Sequence, residues 1–216
     1  MLFRSALAGS AALSAPRVVG AQNKGKVVKF VPHADLASLD PVWTTADVTR
    51  NYSLAVFDTL YGYDAQFNVQ PQMVAGDTVE NDGKLWKLTL RDGLKFHDGE
   101  KVLAKDCVAT IARFAKKNPF GQALMKRVDE ISAASDNQIQ IRLKKPFPLL
   151  RAALGEVYCA IMPERLAALD PFTTQIPEAI GSGPFKFIKD ERIPGSKVVF
   201  ARNEAYVPRS GGTPSF

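Results

Sequence analysis

The chain has 216 residues, 46% of them hydrophobic and 23% charged, with a formal net charge of +6; that is length for one sizeable domain or two small ones, and a composition ordinary for a globular protein. The basic residues are scattered, adjacent only at Lys116-Lys117, Lys126-Arg127 and Lys144-Lys145, which argues against a nucleic-acid reader with its concentrated basic stripe and interleaved aromatics. No segment reaches the ~18 uninterrupted apolar residues of a membrane span.

Residues 1–21 read as an export signal. Arg4 gives a positive start, residues 7–13 a small-residue apolar core, and Val19-Gly20-Ala21 a cleavage site that leaves Gln22 as the new N-terminus. Residues 26–31 then predict a first strand, residues 33–47 a polar loop and residues 48–57 a short helix, with a hairpin turning between Tyr63 and Val69. Trp86, Leu88 and Leu90 alternate with Lys87, Thr89 and Arg91, the period-two pattern of a half-buried strand. Asp92-Gly93 and Asp98-Gly99 supply turns on either side of a short extended piece at Leu94 and Phe96. From Leu103 the period becomes helical, with Val108, Ile111, Ala112 and Ala115 expected on one face through residue 116. Asn118-Pro119-Phe120-Gly121 reads as a break, followed by a short helix over residues 122–127.

A second hairpin follows, residues 128–132 against Ile139, Ile141 and Leu143, with a turn at Ser135-Asp136-Asn137. Residues 148–154 predict a helix, residues 158–162 an extended piece and residues 163–169 a helix opened by proline. Strands over residues 184–189 and 197–202 flank the Pro194-Gly195 turn, and residues 208–216 carry loop chemistry.

Few of these residues point to covalent chemistry. His97, Asp98 and Cys107 have the residue types of a thiol hydrolase, but Asp98 is accounted for by its turn and Cys107 by helix packing. Two histidines, His33 and His97, and no C-x-x-C give no metal-ligand spacing. Gly181-Ser182-Gly183 precedes a strand rather than a helix, the wrong context for a phosphate loop. Cys107 and Cys159 read as buried free thiols. No enzyme and no cofactor are expected. The aromatics Trp43, Phe120 and Tyr158 lie in or beside predicted loops, where such side chains line clefts.

Three blocks carry a resemblance. Residues 90–99 read Leu-Arg-Asp-Gly-Leu-Lys-Phe-His-Asp-Gly and are followed by Ala104, Asp106 and Val108; residues 56–61 precede Pro71-Gln72-Met73-Val74-Ala75; Gly181-Ser182-Gly183-Pro184-Phe185 precedes Arg202-Asn203-Glu204-Ala205-Tyr206. In this order and spacing the chain resembles the family 5 extracytoplasmic solute-binding proteins, the peptide- and nickel-binding components of ABC importers. Cys107 departs from the pattern, standing where the family moves directly from Asp to an aliphatic residue.

The resemblance implies an α/β fold: the mixed-sheet first lobe of a periplasmic binding protein of type II, cluster C-like, over residues 22–216, with a subdomain at about residues 48–150 and the second lobe missing. It implies a periplasmic protein, monomeric if complete, that binds di- or oligopeptides or a similar small solute and hands it to an ABC permease in the inner membrane. The loop containing Asp35, Ser38, Asp40 and Trp43 lies near the ligand cleft in that family, as do the positions of Phe120 and Tyr158; Asp40, Trp43, Phe120 and Tyr158 are therefore the expected ligand contacts. With half a cleft, the chain alone is expected to bind ligand weakly, and a truncated remnant without ligand binding is the alternative.

Overall fold

The computed structural model describes residues 27–209, so the expected export signal and the end of the chain lie outside the described residues. Residues 27–31 form no strand, contrary to the sequence expectation; a run rich in valine and phenylalanine makes no strand without a hydrogen-bonded neighbour. The description below concerns residues 32–209.

Helix α1 (Asp47–Val56) buries Val48, Tyr52 and Val56, the i, i+4, i+8 stripe of an amphipathic helix. A two-stranded hairpin, β1 (Tyr61–Tyr63) with β2 (Val69–Pro71), follows. The central unit is a four-stranded antiparallel sheet in the order β3-β4-β6-β5, formed by β3 (Val74–Glu80), β4 (Leu85–Leu90), β5 (Val128–Ser135) and β6 (Gln138–Leu143). In the central strands Trp86, Leu88 and Leu90 and Ile139, Ile141 and Leu143 all face the core, as the alternation predicted. Strand β3 was not legible. It is an edge strand that buries only Val74 and carries a bulge between Val74 and Gly76, so little of its sequence answers to burial.

Helix α2 (Ala104–Lys117) covers the inner face of this sheet with Cys107, Ile111 and Phe114, all fully buried. Ala112, expected on the same face, is exposed. The extended piece around Phe96 reduces to an isolated bridge between Lys95 and Lys101, and Gly93 and Gly99 take the positive φ their turns require (77° and 93°). Pro119 begins helix α3 (Pro119–Met125) instead of ending structure. It sits in the first turn, where its missing N–H costs nothing, while the Asn118 side chain accepts from the amides of Phe120 and Gly121. Helices α4 (Leu150–Leu154) and α5 (Glu164–Ala167) and the hairpin β7 (Phe185–Phe187) with β8 (Phe200–Arg202) complete the order, each shorter than predicted.

The apolar core is organised in two clusters. One lies between the sheet and α2, α3 and α4; the other gathers Tyr52, Val56 and Phe57 of the α1 region with Met162, Leu166 and Ile176, and packs against Phe187 and Phe200. Tyr52 meets Phe57, Phe187 and Phe200 at ring-centroid distances of 6.1, 6.5 and 5.8 Å, which ties α1 to the β7–β8 hairpin.

Candidate functional site

The loop before α1 is held from inside. Asp40 is fully buried: its Oδ1 accepts from the amides of Val42 (3.0 Å) and Trp43 (3.3 Å), and its Oδ2 from the Ile176 amide (3.1 Å) and the Arg113 guanidinium. Both members of the Asp40–Arg113 pair have no exposed side-chain surface. Arg113 also donates to the carbonyls of Leu169 and Thr174, binding α2 to the segment after α5. A charge this deep persists only when paired and hydrogen-bonded. Asp40 therefore takes a different role from the ligand contact its sequence position suggested: its donors are all internal, and it fixes the turn that presents Trp43.

Trp43 is half-buried beside the C-terminal end of α2. The Lys117 ammonium stands 4.5 Å from the centre of its ring and donates to the Trp43 carbonyl (2.7 Å) and the Pro171 carbonyl (3.2 Å). The exposed ring of Phe172 lies 5.9 Å from the same ammonium. A cation between two aromatic faces is a stable arrangement, and it leaves aromatic surface open to solvent.

Phe120 hangs from the same end of α2 through the Asn118 cap and packs edge-on against Phe147 at 6.2 Å. Tyr158, half-buried against the sheet-side core, lies in the segment between α4 and α5. Its neighbour Glu156 has a raised pKa, with burial the cause and Arg50 of α1 acting in opposition. The structure thus gathers Trp43 and Phe120 at one end of α2, with Asp40 behind Trp43. Tyr158 packs against the same sheet-side core as Phe120, and the ring contacts found among the described residues do not include it.

The turn and helix start of residues 96–107 are taken up by structural contacts. The His97 amide donates to the Gly181 carbonyl (2.9 Å), and its Nε2 bonds the Gly183 carbonyl (3.0 Å), which also receives Asn203 Nδ2 (3.0 Å). Burial holds the His97 pKa below its usual range, with Lys186 adding to the effect against the Gly183 carbonyl; Nε2 carries the proton it donates. Gly181 and Gly183 are required by proximity: a Cβ would fall 2.1 Å from the Val56 carbonyl oxygen at the first and 2.7 Å from the Val56 carbonyl carbon at the second.

Asp106 accepts from the amide of Leu103 (2.8 Å) through one oxygen and from that of Glu164 (2.8 Å) through the other, so one carboxylate closes the starts of α2 and α5. Cys107 and Cys159 are free and fully buried, and desolvation pushes both thiols up, Cys159 to about 12. Reactive cysteines are exposed and shifted the other way. No cluster of three or more metal-ligating side chains occurs among the described residues, and no described helix is long and apolar enough to cross a membrane.

One buried acid has no such settled role. Asp58 follows α1, accepts from Gln72 Nε2 at 2.8 Å, and holds a pKa of about 6. Burial raises it, while Gln72, Arg91, Ser182 and Tyr206 pull it back. Gln72 Nε2 also reaches the Tyr206 hydroxyl (3.2 Å), and Arg91 donates to the carbonyls of Val207 (3.0 Å) and Pro208 (2.7 Å). This group seats the segment after β8 against the hairpin and the glycine loop.

Residues 68–216 match the family described as bacterial extracellular solute-binding proteins, family 5 Middle. The chain belongs to that family. The resemblance carried by the glycine turns, His97 and the Gly181–Gly183 loop is therefore upheld, and the geometry shows why those positions are restrictive.

Among curated relatives, a probable peptide ABC transporter periplasmic-binding protein of Sinorhizobium fredii, y4tO, is 44% identical over 210 residues, which is 96% of this chain and 39% of that protein. Two solved structures share the fold. The AgaA binding protein of A. tumefaciens R10, in complex with agropinic acid, gives a TM-score of 0.70 at 22% identity over 80% of this chain and 35% of that one. NikZ of Campylobacter jejuni, in complex with Ni(L-His), gives 0.65 at 26% identity over 80% and 34%. The chain spans somewhat over a third of the length of each.

Proposed function

We propose that this chain is the solute-receiving part of a periplasmic binding protein that delivers di- or oligopeptides to an ABC permease in the inner membrane. The observation that carries the peptide reading is the 44% identity to a protein named for peptide transport, sustained over 96% of this chain. The solved structures, at 22% and 26% identity, hold agropinic acid and Ni(L-His), so the fold itself does not choose the cargo.

In this reading residues 22–216 supply one lobe, with the four-stranded sheet and α2 at the heart of a subdomain of about residues 48–150, and residues 1–21 direct export. Trp43, Phe120 and Tyr158 supply aromatic surface to the ligand, and Asp40 holds Trp43 in position. Capture works by closure of a second lobe over the solute, a population shift driven by the ligand's preference for the closed state. The protein acts as a monomer, without cofactor or covalent chemistry; the buried thiols and the carbonyl-bound His97 support that part of the reading.

Uptake of radiolabelled di- and tripeptides by intact cells tests the proposal. Deleting the gene lowers uptake of at least one peptide class, and Trp43→Ala at normal protein level lowers it in part. Unchanged uptake across a panel of peptides on deletion contradicts the peptide reading.

A further inference from the structure

The lower end of the four-stranded sheet collects cations that are far apart in sequence. The Leu143 amide donates to the Lys84 carbonyl (2.7 Å) and the Lys144 amide to the Arg127 carbonyl (2.7 Å), so the start of β4, the end of β6 and the start of β5 meet there. Arg127 reaches on to the Pro146 carbonyl (3.3 Å). Lys84, Lys126, Arg127, Lys144 and Lys145 are all exposed. None of the five is in an ion pair, whereas eleven ion pairs occur elsewhere among the described residues.

The nearby acids are mostly engaged: Glu80 with Lys87, and Asp129 and Glu130 with Arg142. Asp82 is the acid left in the β3–β4 turn. Two exposed apolar side chains flank the cations in sequence, Met125 (39% exposed) directly before Lys126 and Leu149 (56%) four residues after Lys145. Edge contact between Phe120 and Phe147 keeps α3 and the segment bearing Leu149 together.

We propose that this end of the sheet is a docking surface for anionic phospholipid, holding the protein against the outer face of the membrane in which its permease would sit. Unpaired cations lower their free energy near a negatively charged bilayer, and each is worth roughly a fivefold gain in partition at low salt. Apolar side chains beside the cations can enter the headgroup region, which a purely acidic protein surface would not reward. That pairing of cation and apolar side chain favours lipid over an acidic protein partner. Which membrane face is met rests on the periplasmic reading proposed above, whereas binding to anionic lipid is argued from the patch and does not depend on the identity of the solute.

The test is co-sedimentation of the full chain with vesicles of phosphatidylcholine containing 30 mol% phosphatidylglycerol, against vesicles of phosphatidylcholine alone. The expected result is binding to the anionic vesicles at low salt, lost at high salt, with little binding to the neutral ones. The double variant K126E/K144E lowers partition by more than tenfold with an unchanged unfolding midpoint, and the distant control K189E leaves it as it was. Two arms would overturn the proposal: equal binding to both vesicle types, or an equal loss in K189E. Absence of vesicle binding together with patch-dependent binding of polyglutamate would also overturn it, and would assign the surface to an acidic protein.

Discussion

Replacing Asp58 by Asn gives the sharpest energetic prediction. The carboxyl has a pKa of about 6 in the folded protein against an ordinary 3.8, so it binds its proton more tightly folded than unfolded. Its sign follows from linkage. Well below pH 3.8 the group is neutral in both states and costs nothing; as pH rises from about 3 to 6 the unfolded chain ionises more readily, and stability falls. Above pH 6 the penalty is constant. Two units at about 1.4 kcal/mol each give a penalty of about 3 kcal/mol, already net of the help from Gln72, Arg91, Ser182 and Tyr206.

Asn keeps an oxygen for Gln72 and removes the charge. Urea unfolding at pH 7.5 is therefore expected to show Asp58→Asn more stable than the parent by about 2–3 kcal/mol, the difference shrinking toward zero by about pH 3. Comparing the two proteins at each pH cancels the other titrating groups. An Asn variant less stable than the parent at pH 7.5, with no change in that gap on acidification, refutes the reasoning and makes the ionised Asp58 a net stabiliser through Arg91.

Arg113→Met leaves the Asp40 carboxylate buried without its partner and is expected to cost about 3–5 kcal/mol; the double variant Asp40→Asn with Arg113→Met should lose clearly less than the sum of the two single losses in a double-mutant cycle. Gly181→Ala forces a Cβ to within 2.1 Å of the Val56 carbonyl oxygen, which must displace backbone and the His97 amide bond, so a loss of about 3 kcal/mol is expected. Gly76→Ala, with no atom within 4 Å of the added carbon, should stay within about 1 kcal/mol of the parent, and equal losses at the two glycines would refute the close-approach argument.

The parts of the fold that were legible are those where one face is buried and the other wet. Strands β4 and β6 show perfect alternation because both are central, and the Asp92-Gly93 and Asp98-Gly99 turns were readable because only glycine takes those φ values comfortably. Strand β3, an edge with one buried residue, left no such trace. Pro119 misled because proline both ends and begins helices, and only the Asn118 side chain decides between them.

At the candidate site, Trp43 and Phe120 were found as loop aromatics, but the element that gathers them, the end of α2 with Lys117, was not. Asp40 was singled out for the wrong partner: the Arg113 that claims it lies 73 residues away. A signal was present, since Arg113 shares the buried face of α2 with Thr110 and Phe114, and a cation at such a position requires a carboxylate from elsewhere in the chain.

Native mass spectrometry of the protein released from the periplasm of the cells that make it bears most directly on the central claim. The account predicts that the protein appears in the osmotic-shock fluid and carries a non-covalent adduct of small-peptide mass, which is lost on denaturation and diminished in Trp43→Ala. A protein recovered only from the cytoplasm, or one that carries no exchangeable solute and acquires none from a peptide mixture, would contradict it.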